Sequence, residues 1–334
     1  MESSTPFHLS IAEAARRLDG RVLRTPVRRS YWLSAIAGTD VWLKLECVQL
    51  TGSFKIRGAL NAAILHAERH SGLPTPLVTA SAGNHGRALA LAAEHIGIPL
   101  TVFVPEDAPR AKTSAIESHG AVLRRAPDYD AAEEGARAFA RENGATYISP
   151  YNDPDVIAGA ATVALEVFED LPDTRVIVVP VGGGGLAGGI GAVARLQAGG
   201  VRTIGVETES SHAISEAFKA GRIVTIEPRP TIADALSGNI EPGSMTFPLM
   251  QQVCDGIVLV GENELKAAIV GLVREEHVIA EGGGAAAVAA ILAGPFDSVP
   301  FDYAQGRPAT APGPIVAIVS GSNIDVERLA GLLR

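Results

Sequence analysis

The chain has 334 residues, of which 47% are hydrophobic, and a formal net charge of −9 at pH 7. No apolar run reaches the ~18 residues of a membrane-spanning helix, and no basic run with interleaved aromatic residues indicates nucleic-acid binding. Cys47 and Cys254 are far apart in sequence, which favours small core residues over a disulfide or a metal pair. We therefore expect a two-domain chain whose partner is a small molecule.

The amino-terminal residues carry the first helix signal. Ser10 and Glu13 have the spacing of a capping box ahead of a predicted helix over 11–18, and Gly20 is placed to end that helix. The first four residues lack the basic start and the apolar stretch of a signal peptide. A cytoplasmic location is therefore expected.

Short apolar segments rich in β-branched residues alternate with helical segments along most of the chain. This alternation is typical of parallel strands joined by helices, so the predicted fold class is α/β with one or two doubly wound sheets. A stretch over 295–314, rich in Pro, Gly, Asp and Ala, is predicted to be a surface loop. The predicted strands cover residues 41–45, 77–80, 100–104, 122–124, 147–149, 176–181, 203–206, 256–260 and 315–319.

Two breaks in the pattern suggest domain boundaries. Stretches with glycine and proline at about 71–76 and 150–154 bracket four short strand and helix units. We predict a small domain over 73–153 and a large domain formed by 1–72 and 154–334.

A run of glycines follows the predicted strand over 176–181. Gly182 to Gly185 and Leu186 precede a helix that is predicted to start at Ile190. Successive glycines between a strand and a helix let backbone N–H groups converge where the helix dipole is positive, which suits a phosphate. The segment also fits the dinucleotide fingerprint, with Glu207 as the acid for a ribose. By itself it leaves open an NAD site, another phosphate site or a structural turn.

Lys55 lies in a pattern that predicts the first turn of a helix. Thr51, Gly52 and Ser53 resemble a turn and an N-cap ahead of it. The positive end of the helix dipole disfavours an ammonium there and makes the free amine more available as a nucleophile or base. A solvated lysine is the plain alternative, and an NAD enzyme has no need of this residue.

Two further loops follow predicted strands. Ser81 to Gly86 (SAGNHG) offers backbone N–H groups and the side chains of Ser81 and Asn84, which suit a carboxylate or a phenolic oxygen. Ser320 to Asn323 (SGSN) places a hydroxyl at the carboxyl end of the last strand, where α/β sheets bind their ligands. Each loop could also be only a helix cap or a turn.

Taken together and in this order, the motifs resemble those of the fold-type II pyridoxal 5′-phosphate (PLP) enzymes, and within them the serine/threonine dehydratases (threonine ammonia-lyases). The resemblance is carried by TGSFKIRGA at 51–59, SAGNHG at 81–86, PVGGGGLAGG at 180–189 and SGSN at 320–323, and it spans nearly the whole chain. It implies a tryptophan synthase β-like fold of two doubly wound α/β lobes with the cofactor between them. An NAD-dependent oxidoreductase becomes the distant alternative.

The resemblance assigns roles to individual residues. Lys55 would carry the cofactor and act as the catalytic base. The residues that contact the cofactor would be Phe54, Asn84, Gly182, Gly183, Gly184, Gly185, Leu186 and Ser320. The residues that bind the substrate carboxylate would be Ser81, Gly83, Asn84 and His85. Gly238 would line the substrate side chain.

The implied reaction is the β-elimination of L-threonine or L-serine to 2-oxobutanoate or pyruvate and ammonia. A hydroxyl such as Ser320, in place of a carboxylate, makes the cofactor ring a weaker electron sink and favours prompt loss of a β-leaving group. Related serine racemases carry a serine at the position of Ala82, which itself cannot move a proton, so elimination is expected over racemisation. A 3-hydroxyaspartate dehydratase and a β-replacement enzyme remain alternatives, and a homodimer is the expected assembly.

Some members of the family also bind a divalent metal through a Glu, a backbone carbonyl and an Asp that follow the glycine loop. Glu207 and the Ser211 carbonyl are weak candidates here, but Ala213 stands at the Asp position. No metal site is therefore assigned. No regulatory domain is expected after Arg334.

Overall fold

The computed structural model describes residues 10–70, 75–198, 200–294 and 313–334, so the first four residues and nearly all of the predicted loop over 295–314 lie outside the described residues. The described residues form ten strands and 13 α-helices. The strands are β1 (Val27–Ser30), β2 (Val41–Lys44), β3 (Leu77–Ala80), β4 (Leu100–Pro105), β5 (Val122–Ala126), β6 (Thr146–Tyr147), β7 (Val176–Pro180), β8 (Arg202–Thr208), β9 (Gly256–Val260) and β10 (Ile315–Ile318).

The helices are α1 (Ile11–Leu18), α2 (Tyr31–Ala37), α3 (Lys55–Arg69), α4 (Asn84–Ile96), α5 (Arg110–Glu117), α6 (Tyr129–Asn143), α7 (Pro154–Asp170), α8 (Gly185–Ala194), α9 (Ala213–Ala220), α10 (Thr246–Val253), α11 (Glu262–Glu275), α12 (Gly282–Ala293) and α13 (Val326–Leu332). Two short 3₁₀ turns cover Glu46–Val48 and Asp234–Leu236. Among the described helices, none combines the length and the apolar character needed to cross a membrane.

Helix α1 has the predicted bounds, but its start differs from the prediction. The Ser10 hydroxyl bonds the Glu13 carboxylate instead of a backbone N–H, so the predicted capping box is wrong in its hydrogen bonds. Gly20 follows the helix with φ +67°, a left-handed conformation that glycine adopts without strain. The glycine signal therefore predicted the end of this helix correctly.

The described residues up to Leu23 and Phe54–Ala160 form one compact unit. Its four-stranded parallel sheet has the order β5-β4-β3-β6. All four residues of β3 are buried, as expected for a parallel strand covered on both faces. Helices α3 and α4 pack against each other, with Ile56, Leu60 and Leu89 in one apolar cluster.

Arg24–Ser53 and the described part of Ala161–Arg334 form the other unit. Its sheet has six strands in the order β1-β2-β10-β7-β8-β9, and all neighbours are parallel except the β1 and β2 pair. Ala317 in β10 lies opposite Leu43 in β2 on one side and Val178 in β7 on the other. Helix α12 is apolar all round and almost entirely buried, which makes it the core helix of this unit.

The bounds of these units differ from the predicted domain bounds. Helices α1 and α3 belong to the unit with the four-stranded sheet, although 1–72 was predicted to join the large domain. The reason is the packing of α3 against α4, which a change in composition does not reveal. The other division between the units falls within helix α7.

Three loops leave the six-stranded sheet at the same edge. Strands β2, β10 and β7 are neighbours and run parallel, so their carboxyl ends lie side by side. The turn at 51–53 follows β2, the SGSN loop at 320–323 follows β10, and the glycine run at 182–185 follows β7. This is the edge at which parallel α/β sheets bind ligands.

Candidate active site

Lys55 is the first residue of helix α3, so its predicted place in the first turn is confirmed. Its Nζ donates a hydrogen bond of 2.7 Å to the carbonyl oxygen of Pro150 and lies 5.1 Å from the centroid of the Phe54 ring. Phe54 occupies the N-cap position with helical backbone angles, φ −56° and ψ −20°. The predicted N-cap at Ser53 is therefore wrong by one residue.

The loop from Ser81 to Gly86 makes a tight return between β3 and α4. A Cβ on Gly86 would lie 2.1 Å from the Ser81 carbonyl oxygen, so only glycine fits. The Ser81 N–H donates to the Phe103 carbonyl oxygen at 3.1 Å, and the Ser81 hydroxyl accepts a hydrogen bond of 3.3 Å from the Gly83 N–H, so its own proton can still be donated to a ligand. Helix α4 starts at Asn84, so the four predicted carboxylate residues gather at an N-terminal helix end that favours an anion.

His85 is buried in the first turn of α4. Its Nε2 lies 3.3 Å from the carbonyl oxygen of Ile148, which can only accept, so Nε2 carries the proton. Burial, together with the nearby charge of Lys55, lowers the pKa of His85 to about 3. The ring is neutral at physiological pH, so His85 can help to bind a carboxylate only through its backbone N–H and not as a cation.

The glycine run has the geometry of an anion-binding turn. Helix α8 starts at Gly185, five residues before the predicted start at Ile190. Within the described part of the chain, no group accepts a hydrogen bond from the backbone N–H groups of Gly182 to Leu186. Gly184 has φ +86°, and a Cβ there would lie 3.2 Å from Cβ of Thr246. A phosphate would satisfy these unpaired donors, and glycine is required to present them.

Later glycines of the same run have a packing role. A Cβ on Gly188 would lie 2.8 Å from Leu249 Cδ2, and a Cβ on Gly191 would lie 2.5 Å from Val253 Cγ2. Helix α8 therefore lies close against α10. Gly188, the last glycine of the spacing that resembled a dinucleotide fingerprint, therefore has an explanation in helix packing.

Glu207, which both the NAD alternative and the metal hypothesis used, caps helix α9. Its carboxylate accepts hydrogen bonds from the N–H groups of Ile214 at 2.9 Å and Ser215 at 2.8 Å. Glu207 is buried, and this burial raises the pKa of Glu207 to about 7. Among the residues that the structure describes, no three His, Cys, Asp or Glu side chains cluster as metal ligands would. Glu207 thus has a structural role as a helix cap.

Ser320 and Gly238 lie in separate loops of the unit with the six-stranded sheet. Ser320 is buried, and its hydroxyl lies 3.4 Å from the Gly283 carbonyl oxygen, to which it donates. Gly238 has φ +139° and donates its N–H to Ser211 Oγ at 3.1 Å. No described atom lies within 4 Å of the point where a Cβ of Gly238 would stand. Ser211, the weak metal candidate, thus supports the loop predicted to line the substrate.

Two contacts of the site residues escaped the sequence analysis. Pro150 accepts the hydrogen bond from Lys55, and Thr246 lies against Gly184. Neither contact has a signal in the sequence, because every residue offers a carbonyl oxygen and Thr246 is remote from Gly184 along the chain.

These residues fit pyridoxal phosphate. The N–H groups of Gly182 to Leu186, which have no acceptor among the described residues, are available to a phosphate, and Lys55 offers a primary amine at a helix start. Ser320, whose hydroxyl is buried, follows β10, and this strand lies next to β7, which leads into the glycine run. The fold and these residues define the class of α/β enzymes that hold a phosphorylated cofactor through a lysine.

Comparison with known proteins agrees with this class. A family model described as pyridoxal-phosphate dependent enzyme matches residues 18–299, and the chain belongs to this family. It is 41% identical to an L-threonine ammonia-lyase of Thermotoga maritima over 323 residues, which cover 96% of this chain and 76% of that protein. It is 36% identical to the catabolic L-threonine dehydratase of Escherichia coli strain K12, with 96% and 94% covered.

A solved structure of maize serine racemase matches the fold with a TM-score of 0.86 and 32% identity, covering 96% of this chain and 95% of that one. The predicted fold class, α/β of the fold-type II PLP enzymes, is confirmed. The predicted cofactor is confirmed as well, and the protein is a PLP-dependent enzyme.

Proposed function

We propose that the protein is an ammonia-lyase that converts L-threonine to 2-oxobutanoate and ammonia, and L-serine to pyruvate and ammonia. The observation that carries this proposal is the placement of Lys55 and the loop from Ser81 to Gly86. Both lie at helix starts, and both are held by carbonyl groups of one short segment, Pro150 for Lys55 and Ile148 for His85. The names of the curated relatives support the same reaction.

The bound cofactor supplies an electron sink next to the substrate Cα. The Lys55 amine removes the Cα proton as a general base. Removal of this proton and departure of the β-hydroxyl amount to the loss of one water molecule. Hydrolysis of the released product consumes one water molecule and frees ammonia. The net reaction therefore converts threonine to 2-oxobutanoate and ammonia with no net change in water.

The other site residues would bind and orient the cofactor. With the cofactor bound, the N–H groups of Gly182 to Leu186 would hold its phosphate, and Phe54 would pack against its ring. Asn84 would bind the phenolic oxygen, and Ser320 would bond the pyridine nitrogen. The family pattern supports these roles.

The substrate carboxylate is bound by the loop that starts at Ser81. Because the His85 ring is neutral, binding depends on the hydroxyl of Ser81 and on N–H groups at the start of α4. A carboxylate fixed in this way sets the direction of the Cα–H bond toward the base. Gly238, which has open space beside it, lines the substrate side chain.

We also propose that elimination exceeds racemisation. Ala82 is partly buried and packs against an apolar cluster of its unit, and it has no group that could return a proton to Cα. In an Ala82→Ser variant, the added hydroxyl should raise the rate at which D-serine forms from L-serine, measured by chiral chromatography. Equal D-serine formation in the parent and the variant would contradict this role of Ala82.

The finer assignments complete the proposal. We infer that the enzyme is a cytoplasmic homodimer that accepts serine as well as threonine. Light scattering of the holoenzyme should give twice the mass of the chain, 34.6 kDa. A monomer mass at micromolar concentration would rule out the dimer, and cell fractionation tests the location.

The main experiment is an oxo-acid assay on L-threonine, L-serine and 3-hydroxyaspartate with the PLP-loaded enzyme. Lys55→Ala should lose the visible absorption band of the lysine-bound cofactor and about 10²- to 10⁴-fold in kcat. Lys219→Ala is the matched control, because this lysine is 60% exposed on α9 and pairs with Glu216. The control should keep both properties.

Further conditions of this experiment distinguish the alternative functions. A new amino acid formed in the presence of sulfide would identify a β-replacement enzyme, and preference for 3-hydroxyaspartate would reassign the substrate. Binding of NAD without a visible cofactor band would point to an oxidoreductase. If Lys55→Ala kept its band and its activity, the proposal would be wrong.

A further inference from the structure

The turn before Lys55 is joined to the SGSN loop by a set of hydrogen bonds. Ser322 donates its N–H to the Gly52 carbonyl oxygen at 2.8 Å and its hydroxyl to the Cys47 carbonyl oxygen at 2.6 Å. The Asn323 side-chain amide donates to the Thr51 carbonyl oxygen at 2.9 Å. Three carbonyl groups of the segment between β2 and α3 are therefore bound by two neighbouring residues, one in the 3₁₀ turn at Glu46–Val48 and two in the turn at 51–53.

Close packing accompanies these bonds. Ser53 and Gly321 form an isolated antiparallel bridge. Gly52 has φ +71°, and a Cβ on it would lie 2.7 Å from Asn323 Oδ1. A side chain at position 52 would therefore strain the backbone and displace Asn323.

The turn depends on these donors because it is buried. Cys47 and Thr51, whose carbonyl groups accept from Ser322 and Asn323, are 3% and 1% exposed. A buried carbonyl that loses its donor is costly, since water cannot replace the bond. Within the turn, Gly52 donates its N–H to the Gln49 carbonyl oxygen at 2.7 Å.

We propose that Ser322 and Asn323 are positioning residues that fix the turn at 51–53, and with it the chain that leads into Lys55 two residues later. The SGSN loop then has two functions. Ser320 serves the cofactor ring, while Ser322 and Asn323 hold the backbone from which the catalytic lysine extends. This inference rests on the proposed function of Lys55.

The physical consequence concerns geometry more than stability. A base that is displaced by about 1 Å from its reacting proton can lose about 10²-fold in rate. Loss of the side-chain donors of Ser322 and Asn323 loosens the turn without removing the lysine, while the Ser322 N–H still bonds the Gly52 carbonyl oxygen. We therefore expect a fall in kcat with little change in KM, because the loop that binds the substrate carboxylate is untouched.

The test compares Ser322→Ala, Asn323→Ala and the double variant with the parent holoenzyme. Hydrogen exchange followed by mass spectrometry should show that amides in 48–56 exchange about tenfold faster in the double variant, as expected for the loss of buried hydrogen bonds. Its kcat should fall about 10- to 100-fold. The visible cofactor band should remain, because Lys55 is intact.

Two controls separate positioning from general destabilisation. Ser322→Thr keeps the hydroxyl donor and should restore most of the kcat. Ser118→Ala removes a hydroxyl that donates to the Ala115 carbonyl oxygen at 2.9 Å on an exposed helix end, and should change neither the exchange at 48–56 nor kcat. If the double variant does not fold, Ser322→Ala and its rescue by Ser322→Thr decide the question.

The proposal is overturned if exchange at 48–56 and kcat both match the parent in the double variant, or if exchange rises equally over the whole chain and kcat per folded molecule is unchanged. Failure of the proposed function has a different signature. In that case the parent itself would form no oxo acid from threonine or serine, while the exchange measurement would still report whether Ser322 and Asn323 fix the turn.

Discussion

Gly159 lies so close to Arg57 that a Cβ built on it would stand 2.4 Å from the Arg57 carbonyl oxygen, and 2.7 Å from the Cα of Gly58. Helix α7 and the first turn of α3 thus approach at a distance that no side chain permits. The contact explains why position 159 is a glycine. Arg57 and Gly58, which make this contact, are two and three residues after Lys55 in α3.

Gly159→Ala should therefore lower the free energy of unfolding by about 1–3 kcal/mol, because the added methyl group overpacks the contact with α3. Urea denaturation monitors this change. Gly331→Ala is the matched control, since Gly331 lies in helix α13 with no described atom within 4 Å of a new Cβ. The control should be neutral or stabilising by up to about 1 kcal/mol. Equal effects of the two substitutions would argue against a close contact at Gly159.

Gly184→Ala should weaken the binding of PLP, because alanine disfavours the left-handed backbone at φ +86° and its methyl group would lie 3.2 Å from Thr246. Fluorescence titration of the apoenzyme measures the affinity. Gly221→Ala places the same strain, at φ +66°, at the end of helix α9 in open space. It should lower stability by about 1–2 kcal/mol and leave the affinity for PLP unchanged. Similar affinities of the two variants would contradict a phosphate-binding role for the glycine run.

His85 should make the stability of the protein depend on pH. The pKa of His85 is lowered from its ordinary value of 6.5 to about 3, so below pH 6.5 the unfolded chain takes up a proton that the folded chain does not. The stabilisation is therefore complete above pH 6.5 and is lost as the pH falls toward 3. At pH 5 this titration alone costs about 2 kcal/mol.

His85→Gln keeps a donor for the Ile148 carbonyl oxygen but does not titrate, so its free energy of unfolding should change less between pH 7.5 and pH 5 than that of the parent. In His95→Gln, at an exposed position of the same helix, the free energy of unfolding should change with pH as much as it does in the parent. Chemical denaturation at the two pH values measures both. A slope for His85→Gln as steep as that of the parent would show that His85 is not the buried neutral group.

Lys44→Met should be strongly destabilising. Lys44 is fully buried, and its Nζ bonds the Glu166 carboxylate and, at 2.8 Å, the Thr25 carbonyl oxygen. The substitution removes the cation from a carboxylate that is only 15% exposed, and breaking such a pair typically costs about 3–5 kcal/mol when it is buried. Arg29→Met breaks an ion pair with Asp40 in which both side chains are at least 40% exposed, and should cost at most about 1 kcal/mol. Thermal unfolding of the two variants distinguishes the buried pair from the surface pair.

The sheet strands could be predicted because burial leaves a pattern in the sequence. All nine predicted strands are present, most with ends within one or two residues of the prediction. Strand β1 escaped prediction, because it is an edge strand whose residues Arg28 and Arg29 are exposed. An edge strand that faces water need not be apolar.

The helix starts at the site were harder to predict than the motifs themselves. Glycine has a low helix propensity, so α8 was predicted to start after the glycine run, yet Gly185 is already helical. Close packing of Gly188 and Gly191 against α10 stabilises these turns. Tertiary packing outweighs local propensity here, and no local reading of the sequence includes it.

Contacts between distant segments lay beyond the sequence. The motifs at 51–53 and 320–323 were each assigned to a site, but their direct hydrogen bonds join residues 272 apart, as between Asn323 and Thr51. A backbone carbonyl such as that of Pro150 is invisible in a sequence as well. The sequence predicted which segments belong to the site, but only the structure shows which of them are joined by hydrogen bonds.

The position of β10 has a consequence for synthesis on the ribosome. This strand is the last of the chain to be made among the described strands, yet it lies in the middle of its sheet, between β2 and β7. Until residues 315–318 emerge, β2 and β7 each present an unpaired edge that is prone to aggregation. A nascent chain should therefore need protection by a chaperone until residues 315–318 have left the ribosome, and the turn that leads into Lys55 can reach its final conformation only after that strand has been inserted.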